Sequence, residues 1–156
     1  MGTVKGAFVK ILVTGGSGQL GLALQRQGGS SQLIALSRED LDITKSAQLA
    51  EVLTREQPAV VINCAAWTDV DGCESNPEKA MEVNGFAVGR LAQEAKNVGA
   101  KLVQISTDYV FDGTKNEPYT ETDRPNPLSV YGKSKLLGES SSGSDALVIR
   151  TSWLMG

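Results

Sequence analysis

The sequence predicts an α/β fold with a doubly wound parallel sheet of about five strands. Apolar, β-branched segments of strand length alternate along the chain with helical segments, which is typical of parallel strands joined by right-handed crossovers. Seventeen glycines in 156 residues exceed the usual share of ~7%, and four of them cluster at positions 15, 16, 18 and 21. The length suits one domain, so we expect a single unit over residues 1–156.

The first half of the chain contains three strands and two helices. Residues 8–14 (FVKILVT) form an apolar, partly β-branched run that ends at the glycine cluster, so a strand is predicted there. Residues 20–27 favour a helix, 32–37 a second strand and 47–56 a second helix. Residues 59–64 (AVVINC) are almost continuously apolar, as expected for a strand covered on both faces of its sheet.

The second half repeats the alternation. Residues 77–97 carry an apolar stripe with helical period and begin with a proline, so one helix is predicted. Strands are predicted at 101–106 and 146–151, with a helix over 128–139 between them. The segment 108–126 contains glycine and prolines and is predicted to be a long, functional loop. Because the chain ends soon after the fifth strand, we expect a truncated sheet with a bare edge.

Composition excludes several classes of function. The content of 40% hydrophobic and 21% charged residues is typical of a globular protein. The net charge of −3, without a long basic run, leaves no face for a phosphate backbone, so we expect no nucleic-acid partner. Histidine is absent, which excludes a Ser-His-Asp triad and histidine-bearing metal sites. Proton chemistry must therefore use tyrosine, lysine or carboxylates, and no metal is expected.

Cysteine usage and hydropathy predict a cytoplasmic protein. The two cysteines, Cys64 and Cys73, occur in a chain without a signal-peptide pattern at residues 1–10, so we expect reduced thiols. No apolar run is long enough to span a bilayer, so no membrane partner is expected.

The glycine cluster is the first candidate site. Gly15, Gly18 and Gly21 follow a strand and open a helix, the context in which this spacing indicates a Rossmann-like dinucleotide site. Gly15 would permit a sharp turn, Gly18 the approach of a pyrophosphate, and Gly21 close packing of the helix on the sheet. Free N–H groups at the helix N-terminus would hold the anion, at a mouth between the first and fourth strands. A turn that binds nothing is the alternative.

The end of the second predicted strand bears on the choice of cofactor. An acidic residue there would bind a ribose diol, but the chain has Ser37 and Arg38. A cation beside a hydroxyl suits a 2′-phosphate, so NADPH is predicted over NADH, although the neighbouring Glu39 would weaken this effect. Asp42 and Ile43 would flank the adenine. A solvated Arg38 and an exposed loop Asp42 are the alternatives.

Tyr131 and Lys135 are the second candidate site. They lie four residues apart in a predicted helix and so share one face. A nearby ammonium is expected to lower the pKa of the phenol, which would then donate a proton as hydride reaches a substrate carbon, while the lysine would hold the cofactor ribose. Thr107, at the carboxyl end of the fourth strand, would hydrogen-bond the same substrate oxygen. Ser106 is the alternative, because strand alternation sends only one of the two to the site.

Several further segments carry a family resemblance. They are TGGSGQLG (14–21), VINCAAWTDVDGCE (61–74), VN (83–84), ISTDYVFDGT (105–114), PYTETDRPNPLSVYGKSKLLGE (118–139) and IRTSWL (149–154). In these segments the chain resembles the extended short-chain dehydrogenase/reductases, and within them the dTDP-4-dehydrorhamnose reductases.

The resemblance implies roles for individual residues. Thr107, Tyr131 and Lys135 would be the catalytic set. The cofactor would be bound by the glycine loop with Gln19 and Leu20, by Ser37, Arg38, Asp42 and Ile43, by Ala65, Ala66 and Thr68, and by Tyr131 and Lys135. Val70, Tyr109 and Trp153 would lie toward the sugar nucleotide, with a core or edge aromatic as the alternative for Trp153.

The reaction implied by the resemblance is NAD(P)H-dependent reduction of the 4-keto group of dTDP-6-deoxy-L-lyxo-4-hexulose to dTDP-L-rhamnose. The chain has about half of the family's length, so the C-terminal substrate domain of the family is expected to be absent. Two protein partners are considered: a second copy of the chain, in a homodimer, or a separate polypeptide that supplies the C-terminal domain. The alternatives to an enzyme are a non-catalytic NADP-binding module, resembling the regulatory β subunit of methionine adenosyltransferase, and a recombined gene fragment that folds as a dimer.

Overall fold

Five parallel strands form one sheet in the part of the chain that the computed structural model describes, residues 9–28 and 32–154. In chain order they are β1 (Lys10–Thr14), β2 (Gln32–Leu36), β3 (Val60–Asn63), β4 (Lys101–Thr107) and β5 (Leu147–Thr151). Their order across the sheet is β2-β1-β3-β4-β5, and every neighbouring pair is parallel. The predicted fold class is confirmed. Phe8, where the first predicted strand begins, lies outside the described residues.

The strand order reverses between β1 and β3. The chain moves from β1 outward to β2 and then returns to β3 on the other side of β1. In open α/β sheets, ligands bind outside the carboxyl ends of the strands at such a reversal. β3 separates β1 from β4, so the mouth expected between the first and fourth strands instead spans the ends of three strands.

Six α-helices connect the strands in the described ranges. They are α1 (Gln19–Gln27), α2 (Ser46–Glu56), α3 (Val70–Ser75), α4 (Pro77–Met81), α5 (Ala87–Asn97) and α6 (Val130–Ser141). A π-helical turn (Glu82–Phe86) separates α4 from α5, and a 3₁₀ turn (Asp108–Val110) follows β4. The single regular helix predicted over 77–97 is therefore wrong in its middle, and α3 was not predicted. None of these helices is long and apolar enough to cross a membrane.

The core lies mainly on one face of the sheet. Right-handed crossovers place α1 on one face and α2, α5 and α6 on the other. Leu12 and Val61 from the strands pack with Leu49 and Leu53 of α2 and with Leu91 of α5, and all five are fully buried. A second, smaller cluster lies nearer the carboxyl ends of the strands and contains Cys73, Ala80 and Tyr131.

β5 is one of the two edges of the sheet in the described residues. This strand pairs with β4, and no described strand pairs with its other side. Leu147 is 59% exposed and Ile149 is 39% exposed. The carboxyl ends of β1, β3 and β4, by contrast, are closely packed and position the candidate site.

Candidate functional site

The turn after β1 depends on glycines at positions where a side chain would clash with the backbone. Gly15 has φ +65°, and a Cβ there would lie 2.8 Å from the backbone nitrogen of Ala65. A Cβ on Gly21 would lie 2.5 Å from the carbonyl oxygen of Gly15. The first glycine therefore lets β1 turn sharply against the segment after β3, as predicted. The third lets α1 pack closely onto the turn itself, whereas close packing on the sheet was predicted.

The N-terminus of α1 is open to an anion. Its N-cap is Gly18, so no side chain caps the helix. The first amide N–H groups of any helix have no partner within the helix, and the helix dipole is positive there. The nearest atom to a Cβ built on Gly18 is the carbonyl oxygen of Gly15 at 3.2 Å. This end of α1 therefore fits the pyrophosphate of a dinucleotide.

Two cavities meet at this turn. The tyrosine cavity, about 460 Å³, lies above the ends of β1 and β4 and is lined by Tyr131. The arginine cavity, about 330 Å³, lies toward the end of β2 and is lined by Arg38. Both are lined by Gly15, Gly18, Cys64 and Ala66. The two cavities thus adjoin at the N-terminus of α1, and together they are the candidate cleft.

The cleft collects the predicted site residues with one exception. The tyrosine cavity is lined by Gly15, Gly18, Gln19, Leu20, Gly21, Ala66, Thr68, Val70, Thr107, Tyr109, Tyr131, Lys135 and Trp153. The arginine cavity adds Arg38, Asp42, Ile43 and Ala65. Ser37 lines neither cavity, because its hydroxyl donates to the carboxylate of Asp40 at 2.7 Å.

The arginine cavity carries more positive than negative charge. The side chain of Arg38 is 76% exposed, and its guanidinium lies 3.7 Å from the carboxylate of Asp42. Hydrogen bonds from Thr44, together with Arg38 and Lys45, outweigh burial and hold the pKa of Asp42 below its usual range. Lys79 also lines this cavity, with its Nζ 4.0 Å from the ring centroid of Trp67.

Lys79 was missed by the sequence analysis. It lies on α4, far along the chain from the second strand, where the cofactor-specifying residue was sought. In the sequence, Lys79 is only a lysine near the start of a predicted helix, and such a lysine usually extends its charge into solvent. Its presence in the cavity depends on how α4 packs beside the segment after β3.

Lys135 is buried at the floor of the tyrosine cavity. The residue is 5% exposed, and its Nζ donates to the carbonyl oxygen of Ile105 at 2.7 Å. Burial lowers the pKa of Lys135 to about 8, while Glu139 and Cys64 act in the opposite direction. The ammonium is thus held against β4 rather than extended into solvent.

Tyr131 lies one helical turn before Lys135 and is 9% exposed. Its ring meets that of Tyr109 edge to face, with the centroids 5.5 Å apart. Burial raises the pKa of Tyr131, and a contact with Thr107 only partly offsets this. The expected lowering of this pKa by Lys135 is wrong for the chain without ligand, because burial outweighs other effects. At neutral pH the phenol is therefore protonated.

Thr107 and Ser106 take different roles at the end of β4. The Thr107 hydroxyl donates to Asp108 at 3.1 Å and accepts from the N–H of Tyr109 at 3.2 Å, so it caps the 3₁₀ turn beside Tyr131. The Ser106 hydroxyl donates instead to Glu139 at 2.6 Å. Thr107 is thus the hydroxyl nearer to the phenol.

Asn84 is a buried polar residue for which the sequence analysis proposed no role. It is 1% exposed and lies in the π-helical turn. Its amide accepts from the N–H of Trp67 at 2.8 Å and donates to the carbonyl of Trp67 at 2.9 Å and to Ser134 at 3.0 Å. Ser134 in turn donates to the carbonyl oxygen of Tyr131 at 2.7 Å. Asn84 therefore ties the segment after β3 to the helix that carries Tyr131.

The residues expected to face a sugar nucleotide form the outer rim of the tyrosine cavity. Val70 begins α3, and Tyr109 is 46% exposed in the 3₁₀ turn. Trp153 is 89% exposed and has φ +48°. The rim is therefore open, whereas the floor with Tyr131 and Lys135 is enclosed.

The chain was compared with known proteins. Residues 9–156 match the family model described as RmlD substrate binding domain. A curated dTDP-4-dehydrorhamnose reductase from Burkholderia thailandensis is 47% identical over 150 residues, covering 94% of this chain and 50% of that protein.

Solved structures agree with this match. A dTDP-4-dehydrorhamnose reductase from Clostridium acetobutylicum superposes with a TM-score of 0.91 at 46% identity, over 94% of this chain and 54% of that one. The Bacillus anthracis enzyme, crystallised with NADP, superposes with a TM-score of 0.92 at 36% identity, over 96% of this chain and 55% of that one. The chain spans about half the length of the curated relatives it matches.

Proposed function

Because the chain belongs to the RmlD substrate binding domain family, we propose that it carries the cofactor and catalytic half of a dTDP-4-dehydrorhamnose reductase. The reaction proposed is reduction of the 4-keto group of a dTDP-6-deoxy-hexulose to dTDP-L-rhamnose with NADPH. The observation that carries this proposal is the pair of adjoining cavities that set the open N-terminus of α1 beside the enclosed Tyr131 and Lys135.

The cofactor would lie along this cleft. The N–H groups of Gln19 and Leu20 would hold the pyrophosphate, since no side chain caps their helix. The adenosine would occupy the arginine cavity, between Ile43 and Ala66. Lys135 would bind ribose hydroxyls in the tyrosine cavity, with Thr68 in the same lining.

The catalytic step uses groups on the cavity floor. A bound nicotinamide dinucleotide supplies the hydride to the carbonyl carbon. Tyr131, which is protonated at neutral pH, would donate its phenolic proton to the carbonyl oxygen as the hydride arrives at the carbonyl carbon. The Thr107 hydroxyl orients the same oxygen, and Lys135 stabilises the phenolate that remains.

NADPH is proposed over NADH from the charges of the arginine cavity. Arg38 and Lys79 contribute two positive charges, and Asp42 contributes one negative charge. A ribose 2′-phosphate would meet the exposed guanidinium of Arg38, which forms paired hydrogen bonds to phosphate readily. NADH remains the weaker candidate.

Replacing Arg38 with glutamine should weaken NADPH binding about tenfold or more and leave NADH binding nearly unchanged.

The sugar side of the site needs a cover. Because Trp153 and Tyr109 are exposed, a bound dTDP-sugar would face solvent along the rim. We expect the cover to come from the rest of a longer polypeptide, from a complementing C-terminal chain or from a second copy. Cofactor binding does not depend on this cover, since the α1 N-terminus and both cavities are formed without it.

The test separates binding from turnover. NADPH is titrated into the purified chain, and nicotinamide fluorescence is recorded at pH 7. The proposal expects saturable binding that persists in Tyr131→Phe, because the phenol hydroxyl serves proton transfer. No binding at millimolar NADPH would overturn it. With the keto-sugar added, the chain together with its cover should oxidise NADPH, and Tyr131→Phe should abolish this oxidation.

A non-catalytic NADP-binding module is the second candidate. The observation that favours it is that the open N-terminus of α1 and both cavities, which cofactor binding needs, are formed by the described residues. The two functions differ in one result. A module binds NADPH without oxidising it in the presence of keto-sugar, even when the complete polypeptide is supplied.

A further inference from the structure

A buried carboxylate lies one helical turn beyond Lys135. The side chain of Glu139 is 8% exposed. Its Oε1 accepts from the Ser106 hydroxyl at 2.6 Å and from Arg150 Nε at 2.9 Å, and its Oε2 accepts from Arg150 Nη2 at 2.7 Å. Both carboxylate oxygens are therefore engaged, and the guanidinium binds them in the bidentate manner that fixes geometry most strongly.

The partners of Glu139 come from two neighbouring strands. Ser106 of β4 and Arg150 of β5 stand opposite each other in the parallel register. Glu139 on α6 therefore joins three elements at one point. Arg150 also lies with its guanidinium carbon 5.0 Å from the ring centroid of Phe111, in the segment that follows β4. The orientation of Arg150 is thus set from two sides.

Successive residues of β4 hold successive turns of α6. The carbonyl oxygen of Ile105 accepts from Lys135, and the hydroxyl of Ser106 binds Glu139. Two such bonds, one helical turn apart, determine both the position of α6 along the strand and its rotation about its own axis. Loss of the Glu139 contacts would leave only the lysine bond to hold this face of the helix.

Glu139 also places a negative charge near a buried ammonium. Lys135 and Glu139 share one face of α6 at a spacing at which side chains interact. The titratable groups that bear on Lys135 are Glu139 from its own helix and Cys64 from the end of β3, and both favour its charged form. The thiol is raised to a pKa of about 11 by burial, so at neutral pH it carries no charge. Glu139 is then the opposing charge.

We propose that Glu139 is a positioning residue for the site: clamped by Ser106 and Arg150, it sets the seating of α6 on β4 and keeps Lys135 an ammonium. The inference rests on the proposed role of Lys135 in holding the cofactor. It extends that role to Glu139 and Arg150, which line neither cavity of the cleft, and to the Ser106 hydroxyl that binds Glu139.

The test compares Glu139→Gln with Arg150→Gln in the full chain. Both changes break the same ion pair, but only the first removes the negative charge. The pKa of Lys135 is followed by NMR of ¹³Cε-labelled lysine, with the resonance assigned from Lys135→Met. We expect Glu139→Gln to lower this pKa by about half a unit or more, a threefold change in proton affinity, and Arg150→Gln not to lower it.

A purely structural role gives a different result. In that case both variants lose thermal stability and the Lys135 titration stays at its original midpoint, which would overturn the proposal. Should Glu139→Gln fail to fold, Glu139→Asp retains the charge but withdraws it by one methylene. This variant should shift the midpoint in the same direction by a smaller amount, and an unchanged midpoint would again overturn the proposal.

NADPH affinity provides a second readout. Glu139→Gln should weaken NADPH binding more at pH 8 than at pH 6.5, where Lys135 is protonated in either chain. An equal loss at both pH values would contradict the role in protonation. The failure of the proposed function is distinguishable from this outcome, because an unsubstituted chain that binds no NADPH still reports the Lys135 titration by NMR.

Discussion

Replacing Lys135 with methionine should change stability in a pH-dependent way: relative to the unsubstituted chain, the variant should be most favoured at neutral pH and less favoured as the pH rises. Methionine fills a similar volume without a charge. The ammonium of an unperturbed lysine, as in an unfolded chain, has a pKa of 10.5, whereas burial lowers the pKa of Lys135 to about 8 in the folded chain. The residue is 5% exposed, so solvent screens this effect little.

The sign follows from proton linkage. Between pH 8 and 10.5 the unfolded chain binds more protons at this lysine than the folded chain, so stability rises with pH. The cost of burying the ammonium is complete below pH 8, at about 3 kcal/mol, and is relieved as the pH approaches 10.5. From pH 7 to pH 9.5, the advantage of Lys135→Met should fall by about 2 kcal/mol.

Urea unfolding followed by tryptophan fluorescence measures this difference at both pH values. Cys64 interacts with Lys135 and titrates at high pH, so both chains carry Cys64→Ala. Lys133→Met is the matched control, because Lys133 lies on the same helix and is exposed. Its effect should be the same at pH 7 and pH 9.5. A Lys135→Met advantage that is constant or grows with pH would refute the reasoning.

Three further predictions concern packing and reactivity. Gly21→Ala places a Cβ 2.5 Å from the Gly15 carbonyl and should cost about 1–3 kcal/mol in urea unfolding, with loss of NADPH binding. Asn84→Leu leaves both backbone groups of Trp67 without their partner and should cost about 2–4 kcal/mol, measured the same way. Cys64 has a pKa of about 11, so at pH 8 iodoacetamide should label it more slowly than free cysteine, as measured by peptide mass spectrometry. Labelling as fast as free cysteine would contradict that environment.

The strands could be predicted because their signal is local. Each is a short apolar run bounded by polar residues or glycine, and the structure places all five within the predicted positions or one residue beyond them. The order of the strands across the sheet was harder to predict from the sequence, because it depends on whether each crossover places the next strand to the left or to the right of the previous one. That is why β3, rather than β4, lies beside β1.

The region between β3 and α5 was harder to predict. Six residues make α3, whose N-cap Asp69 accepts from the N–H of Gly72 at 2.9 Å, and too few apolar residues fall within it to produce a periodic pattern. The π-helical turn keeps the same apolar stripe as a regular helix over this short distance. Asn84 in this turn bonds Trp67 and Ser134, which lie 17 and 50 positions away, so its role is not visible in the local pattern.

In the candidate site, the positions of the residues could be predicted from the sequence, but their pKa values could not. The spacing of Tyr131 and Lys135 correctly indicated a shared helical face above the end of β4. Their ionisation did not follow from spacing, because it depends on burial. The phenol pKa rises and the lysine pKa falls, as expected when charged forms lose water. A sequence contains no direct measure of that desolvation.

The position of Glu139 on the helix could be predicted from the sequence, but its role could not. Tyr131, Lys135 and Glu139 follow one another at intervals of four residues, so their common face was visible in the sequence. Whether the carboxylate is a solvated charge or a buried anchor depends on Arg150, and Arg150 reaches it only because β5 pairs with β4 in the register that sets it opposite Ser106. A shift of β5 by one residue would turn the guanidinium to the other face of the sheet and leave a buried carboxylate without its cation. The register of β5 against β4 therefore determines which charges surround Lys135.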